Sequence, residues 1–287
     1  ALRGVPADPR SDHAKRLDAA GASTVTGSLL AFVYALHHAA THGWESGESA
    51  AWFVAAGVLM AVFVLIETRS AAPLVPPAAL RNRSLVAANL TAFLAFGAFF
   101  SFIFLGSLLM QQVLGYSPLT TGLAWVATTT TEFAASSAAG RLAATAGFRR
   151  LLVIGLSLLA AAVGWLARVP ADASYLTDLL PAFLLGGLGL GLCAPSLQIG
   201  ALSGVAETEA GLASGLVETM REIGAAAGVA AISSVLVAGT GLAGFHAAFA
   251  AIAVLAVIGV GTAAGLAPRR RHSQPEELAP GSLPVSA

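Results

Sequence analysis

VAANLTAFLAFGAFFSFIFLGSLLMQQ, residues 86–112, runs for 27 residues without a charged side chain. About 20 residues of α-helix cross a hydrocarbon core roughly 30 Å thick. The run is therefore long enough to span a bilayer and too apolar for a water-facing surface. Its apolar residues are continuous rather than alternating, which argues against a barrel strand, the other structure whose backbone groups are all satisfied in lipid. The same rule applied outward gives helices near 24–42, 50–67, 86–112, 119–143, 151–167, 179–203, 211–237 and 244–266. The fold class is all-α: a polytopic membrane protein of about eight transmembrane helices.

Composition agrees with lipid as the solvent. Hydrophobic residues make up 56% of the chain and charged residues 10%, with a mean hydropathy of +0.79 and a formal net charge of +0. A water-soluble domain cannot carry that much apolar surface, and this one would lack the like-charge repulsion that keeps soluble proteins apart. Small residues recur at helical spacing. Gly186, Gly187, Gly189 and Gly191 in the sixth helix, and Gly224 and Gly228 in the seventh, predict close helix–helix approach. Pro181 and Pro195 bracket the first group and predict a bend or local break, read equally as a moving part or as packing geometry.

Positive charge orients the helices, because cytoplasmic loops hold an excess of Lys and Arg. With the amino terminus inside, thirteen of the 15 basic residues are cytoplasmic. They are Arg3, Arg10, Lys15 and Arg16, then Arg69, Arg81 and Arg83, then Arg141, Arg149 and Arg150, and finally Arg269, Arg270 and Arg271. Arg168 lies in an outer loop and Arg221 within the seventh helix, while the inner loop 204–210 carries Glu207 and Glu209 with no base. Both termini of the chain are therefore expected in the cytoplasm of a multi-pass cell-membrane protein. The expected organisation is a cytoplasmic linker at 1–20, a helix pair at 21–67, a cytoplasmic loop at 68–85, a six-helix bundle at 86–266 and a disordered cytoplasmic tail at 267–287. The lone Cys193 allows no internal disulfide.

Five stretches then occur in order: FVLIETRSAAPLVPPAALRNRSL at 63–85, LLMQQVLGYSPLTTGLAW at 108–125, AGRLAATAGFRRLLVIGL at 139–156, GGLGLGLCAPS at 186–196 and GLASGLVETMREIGAAAGVA at 211–230. Together they resemble the second half of the fourteen-helix drug:proton antiporter branch of the major facilitator superfamily. The resemblance covers residues 20–266. It implies that the first two helices are that branch's extra central pair and the last six the carboxy-terminal bundle of two inverted three-helix repeats. It also implies a missing amino-terminal half, without which the chain would not transport, and a small-molecule substrate exchanged for protons. Gly140, Arg141, Gly147, Arg149 and Arg150 resemble a degenerate copy of the superfamily's cytoplasmic loop signature, with Ala144 where an acid is usual. Glu218 and Glu222 stand where the family often has an amide.

Glu132 is the sharpest candidate for chemistry. It lies about thirteen residues into its helix, near mid-bilayer at 1.5 Å per residue. Thr128, Thr129, Ser136 and Gly140 share its face, so that face is expected to look into a polar cavity. Removal from water favours a carboxylate's neutral form, and a group poised between forms can cycle a proton. Proton or cation handling is one reading; a fixed hydrogen bond to a neighbouring helix is the other.

Glu218, Arg221 and Glu222 form a second cluster on one side of the seventh helix. It reads either as an ion-pair lock to other inner-side helices or as a vestibule that attracts cations. Gln111 and Gln112 at the outer end of the third helix join Thr128, Thr129, Ser136 and Asn89 as substrate-cavity candidates, Asn89 reading also as an interhelical hydrogen-bonding residue. Trp44, Trp52, Trp125 and Trp165 suit the membrane interface, and of the phenylalanines Phe93, Phe96, Phe99, Phe100, Phe102 and Phe104 most suit lipid or helix packing, with one or two rings open to lining a hydrophobic drug pocket. His37, His38, His42 and His246 lack the spacing of a metal site. The glycines at 189 and 191 mimic a dinucleotide fingerprint with no strand before them. No P-loop, hydrolase elbow or basic nucleic-acid surface occurs, so the sequence predicts no enzyme, no cofactor, no metal and no nucleic-acid partner, with the lipid bilayer as surroundings. An alternative to the transporter half is a stand-alone membrane protein without a transport cycle.

Overall fold

The computed structural model describes residues 19–70, 82–203, 205 and 209–265. Among these, nine α-helices are found: α1 (Ala19–His42), α2 (Gly47–Arg69), α3 (Arg83–Leu108), α4 (Pro118–Ala124), α5 (Val126–Ala146), α6 (Phe148–Leu166), α7 (Leu180–Leu202), α8 (Ala210–Ala238) and α9 (Gly241–Ala264). No strand occurs among the described residues. Arg3, Arg10, Lys15, Arg16, Arg81, Glu207, Arg269, Arg270 and Arg271 lie outside them, as do most of the expected linker, inner loop and tail.

Seven helical segments are long and apolar enough to cross a membrane. The expected eighth, 119–143, departs in two ways. It is not one helix: α4 and α5 meet at Trp125, whose backbone N–H is bonded within the preceding turn. It also falls short in apolarity, because Thr128 to Glu132, Ser136 and Ser137 are polar. It still packs lengthwise on α7 along one face. The third helix ends in a π-helical turn at Leu109–Val113, and another at Tyr175–Leu179 leads into α7. Of the expected bend or local break in the sixth helix, a break is not found. Pro181 stands in the first turn of α7, where its missing N–H costs nothing, and the helix continues through Pro195 to Leu202.

Local sequence explains the helix ends. Asn82 caps α3, its Oδ1 accepting from the backbone N–H groups of Ser84 and Leu85 at 3.0 and 3.3 Å. Ser117 caps α4 ahead of Pro118, with Oγ accepting from the Thr120 N–H at 3.1 Å. α5 and α6 are joined by Gly147 alone, at φ +84°, in the left-handed region that only glycine enters without strain.

Glycines set the packing, as the spacing predicts. α3 and α8 cross where Gly97 meets Gly224 and Gly228; a Cβ on Gly228 would lie 2.6 Å from Gly97 Cα, and one on Gly224 2.7 Å from Phe93 Cα. α7 closes on α5 through Gly187 and Gly191, and on α6 through Gly189 facing Gly155. α9 covers α6 and α3. With lipid tails as apolar as the side chains, close backbone approach and dispersion supply much of the association. An aromatic cluster fixes the α4–α5 joint: Trp125 stacks on Phe183 at 4.3 Å and meets Phe102 edge-on at 5.2 Å. The Trp125 indole donates to Ser107 Oγ at 2.9 Å, and the Tyr175 hydroxyl to the Ala124 carbonyl at 2.8 Å. Trp125 is thus part of this aromatic joint and not the interface anchor expected of it.

The α1–α2 hairpin is tied internally by Ser28 Oγ donating to the Ala56 carbonyl at 2.9 Å and by buried His38, 2.8 Å from Ser49 Oγ and 3.4 Å from Glu48. Its α1 packs on α8, and the Trp44 indole in its turn donates to Ser234 Oγ.

Candidate functional site

α5 carries the first cluster. Its contact face towards α7 is made of Thr128, Ala135 and Ala139, all buried. Gly191 of α7 presses on this strip so closely that a Cβ there would lie 2.7 Å from Ala135 Cβ and 2.9 Å from Ser136 N, and the Glu132 carbonyl is nearer still. Glu132 sits at the edge of the contact, half-buried, between Thr129 one turn before and Ser136 one turn after. Its carboxylate has no hydrogen bond or ion pair among the described residues. Thr129 is exposed with Oγ1 donating to the Trp125 carbonyl at 3.3 Å, and Gly140 is exposed. Thr128 differs from expectation: it is 3% exposed, turned into the α7 contact, with Oγ1 unbonded. The polar face is thus Thr129, Glu132, Ser136 and Gly140, beside the packing strip.

The second cluster sits on the α3–α8 pair. Arg221 Nη1 donates to Glu218 Oε2 at 2.6 Å within α8, and its guanidinium carbon lies 4.0 Å from the ring centroid of Phe96 on α3. Arg221 Nε is buried without an acceptor. Glu222 is exposed and has no ion pair among the described residues. Among the described residues, the interhelical contact of this cluster is a cation–π one and its ion pair is intrahelical. Phe96 is one of the phenylalanines named from the sequence, but its pairing with Arg221 was not legible, because helical spacing within α8 cannot name a ring on α3. The two clusters lie on different helix pairs, α5–α7 and α3–α8.

The remaining candidates stand apart. Gln111 and Gln112 are exposed in the π-helical turn after α3. Asn89 is not interhelical: Nδ2 donates to the Leu85 carbonyl of its own helix at 2.8 Å, and Oδ1 is buried without a partner. Around the α5–α6 joint Arg141 and Arg150 are exposed and Arg149 is half-buried, while Gly147 supplies the turn.

A sequence-family model described as Major Facilitator Superfamily matches residues 9–229 and, in a second overlapping alignment, 92–287. The chain belongs to the Major Facilitator Superfamily. Among curated superfamily relatives, the puromycin resistance protein pur8 of Streptomyces alboniger is 35% identical over 224 residues, 77% of this chain and 44% of that protein. The multidrug resistance protein Stp of Mycobacterium tuberculosis is 29% identical over 228 residues, 79% of this chain and 42% of its own length. The cephamycin export protein CmcT of Amycolatopsis lactamdurans is 32% identical over 229 residues, 78% and 47% respectively. The chain spans less than half the length of each of these relatives. Membership agrees with the all-α multi-pass membrane fold and with a transporter family rather than an enzyme family.

Proposed function

We propose that the chain is the carboxy-terminal part of a proton-coupled secondary transporter that exports drugs or lipophilic, cationic metabolites by alternating access, and that it works with an amino-terminal bundle of the same transporter. The names of the relatives support the export of antibiotics or drugs, and their length supports a second bundle. α1 and α2 are then the extra central pair, and α3 to α9 the carboxy-terminal bundle. Arg141, Arg149 and Arg150 at the α5–α6 joint favour a cytoplasmic placement of that end.

The observation that carries this reading is Glu132. A half-buried carboxylate with no bonded partner among the described residues, on a Thr- and Ser-lined face of a helix packed against an apolar bundle, is costly unless it is used. It can accept a proton when the cavity opens to one side and release it when the cavity opens to the other, while Thr129 and Ser136 offer hydroxyls to substrate or water. The test is Glu132→Gln in the intact transporter, reconstituted in vesicles. Efflux driven by a pH gradient falls to the leak rate, while downhill exchange of substrate persists. Unchanged coupling removes Glu132 from the mechanism.

A further inference from the structure

Arg221 stands eleven residues from the start of α8, about 17 Å along the helix at 1.5 Å per residue, far from either end of the span. An arginine at that depth needs partners or a use. Its partners are a ring and a carboxylate: Phe96 at 4.0 Å from the guanidinium and Glu218 Oε2 at 2.6 Å. An aromatic face beside a carboxylate is the chemistry that binds an organic ammonium or phosphonium ion.

We propose that Phe96 and Glu218 form a binding site for an organic cation and that Arg221 occupies it as a tethered stand-in. The inference rests on the reading that the intact protein exports cationic lipophiles, and it names where the charge of such a substrate goes.

Three further observations carry it. The ring is held rigidly, because α3 and α8 touch backbone to backbone at Gly97, the residue after Phe96, and Gly224, one turn after Arg221. The guanidinium is incompletely satisfied, with Nε buried and without an acceptor among the described residues. The described residues do not enclose the pair, with the Arg221 side chain 24% and the Glu218 side chain 50% exposed, so Arg221 has room to move off the ring. Glu222, one turn beyond Glu218, has no ion pair among the described residues, so the cluster keeps one carboxylate uncompensated with Arg221 in place. An arriving cation takes the ring face and Glu218, and Arg221 swings towards water.

The experiment measures equilibrium binding of tetraphenylphosphonium to the purified intact transporter in detergent, with neutral Nile red as the control probe. Arg221→Leu removes the internal competitor and tightens tetraphenylphosphonium binding roughly three- to tenfold, the size of a partly desolvated cation–π contact. Adding Phe96→Leu abolishes that gain, and Nile red binding stays within about twofold throughout. Should Arg221→Leu fail to fold, Arg221→Gln and the single Glu218→Gln replace it, with tighter and weaker cation binding respectively. Weaker or unchanged cation binding on removal of Arg221, or a gain that survives Phe96→Leu, overturns the site. If tetraphenylphosphonium binds no form of the protein, the cationic substrate class fails as well; if it binds every form equally, only the site fails.

Discussion

Gly224→Ala tests whether the α3–α8 seam, which holds Phe96 in place, is as rigid as its geometry implies. The new methyl group would lie 2.7 Å from Phe93 Cα and 2.8 Å from Phe93 C, atoms of a helix backbone that cannot turn aside. An ordinary carbon–carbon contact is about 3.5–4.0 Å, so the helices must part by roughly 1 Å along the seam. Overpacking of this kind costs about 1–3 kcal/mol, and parting the helices also loosens the contact at Gly228. The matched control is Gly215→Ala in the same helix, where a Cβ meets nothing within 4 Å. There the exchange replaces a poor helix former and stabilises by roughly 0.5–1 kcal/mol. Unfolding of the two variants in detergent, followed by tryptophan fluorescence during mild SDS titration, should differ by about 1–3 kcal/mol, the overpacking cost, because the gain in helix propensity is common to both. Equal stability of the two variants would refute the backbone-contact account of the seam.

Other outcomes follow from single contacts. Gly147→Ala forces a side chain into φ +84° at the one-residue joint of α5 and α6 and should cost about 1–2 kcal/mol, visible as a lowered midpoint in the same titration. Tyr175→Phe removes the 2.8 Å bond to the Ala124 carbonyl and should cost roughly 0.5–1.5 kcal/mol, with the tryptophan emission shifting because Trp125 lies in the same cluster. Trp44→Phe removes the donor to Ser234 and should raise hydrogen exchange in α1 and α2 without changing exchange in α6 and α9.

What sequence could show follows from the solvent. Lipid forbids unpaired backbone groups, so each long apolar run had one regular structure open to it, and the helices lie within a few residues of the expected places. Gly224 and Gly228 announced the close crossing because the absence of a side chain is itself the packing signal. The break at Trp125 was hidden, since it depends on Phe102, Phe183 and Ser107, which reach that residue only after folding. Arg221 was legible as a member of an acidic cluster, whereas its ring partner Phe96 sits 125 positions away in the chain. Asn89 was misread for the opposite reason: a polar side chain near a helix end can be satisfied by its own preceding turn. The continuity of α7 through Pro195 shows that a proline in a packed apolar helix need not break it.

The account turns on α5 crossing the membrane with Thr129, Glu132 and Ser136 facing water. Single cysteines at these three positions, and one at Val254 on the exposed apolar face of α9, would be placed in the intact transporter with Cys193 replaced by Ala. Labelling with a charged, water-borne thiol reagent should modify the three α5 positions and spare position 254. Modification of position 254 as fast as the α5 positions, or no modification of α5 at all, would contradict the assignment.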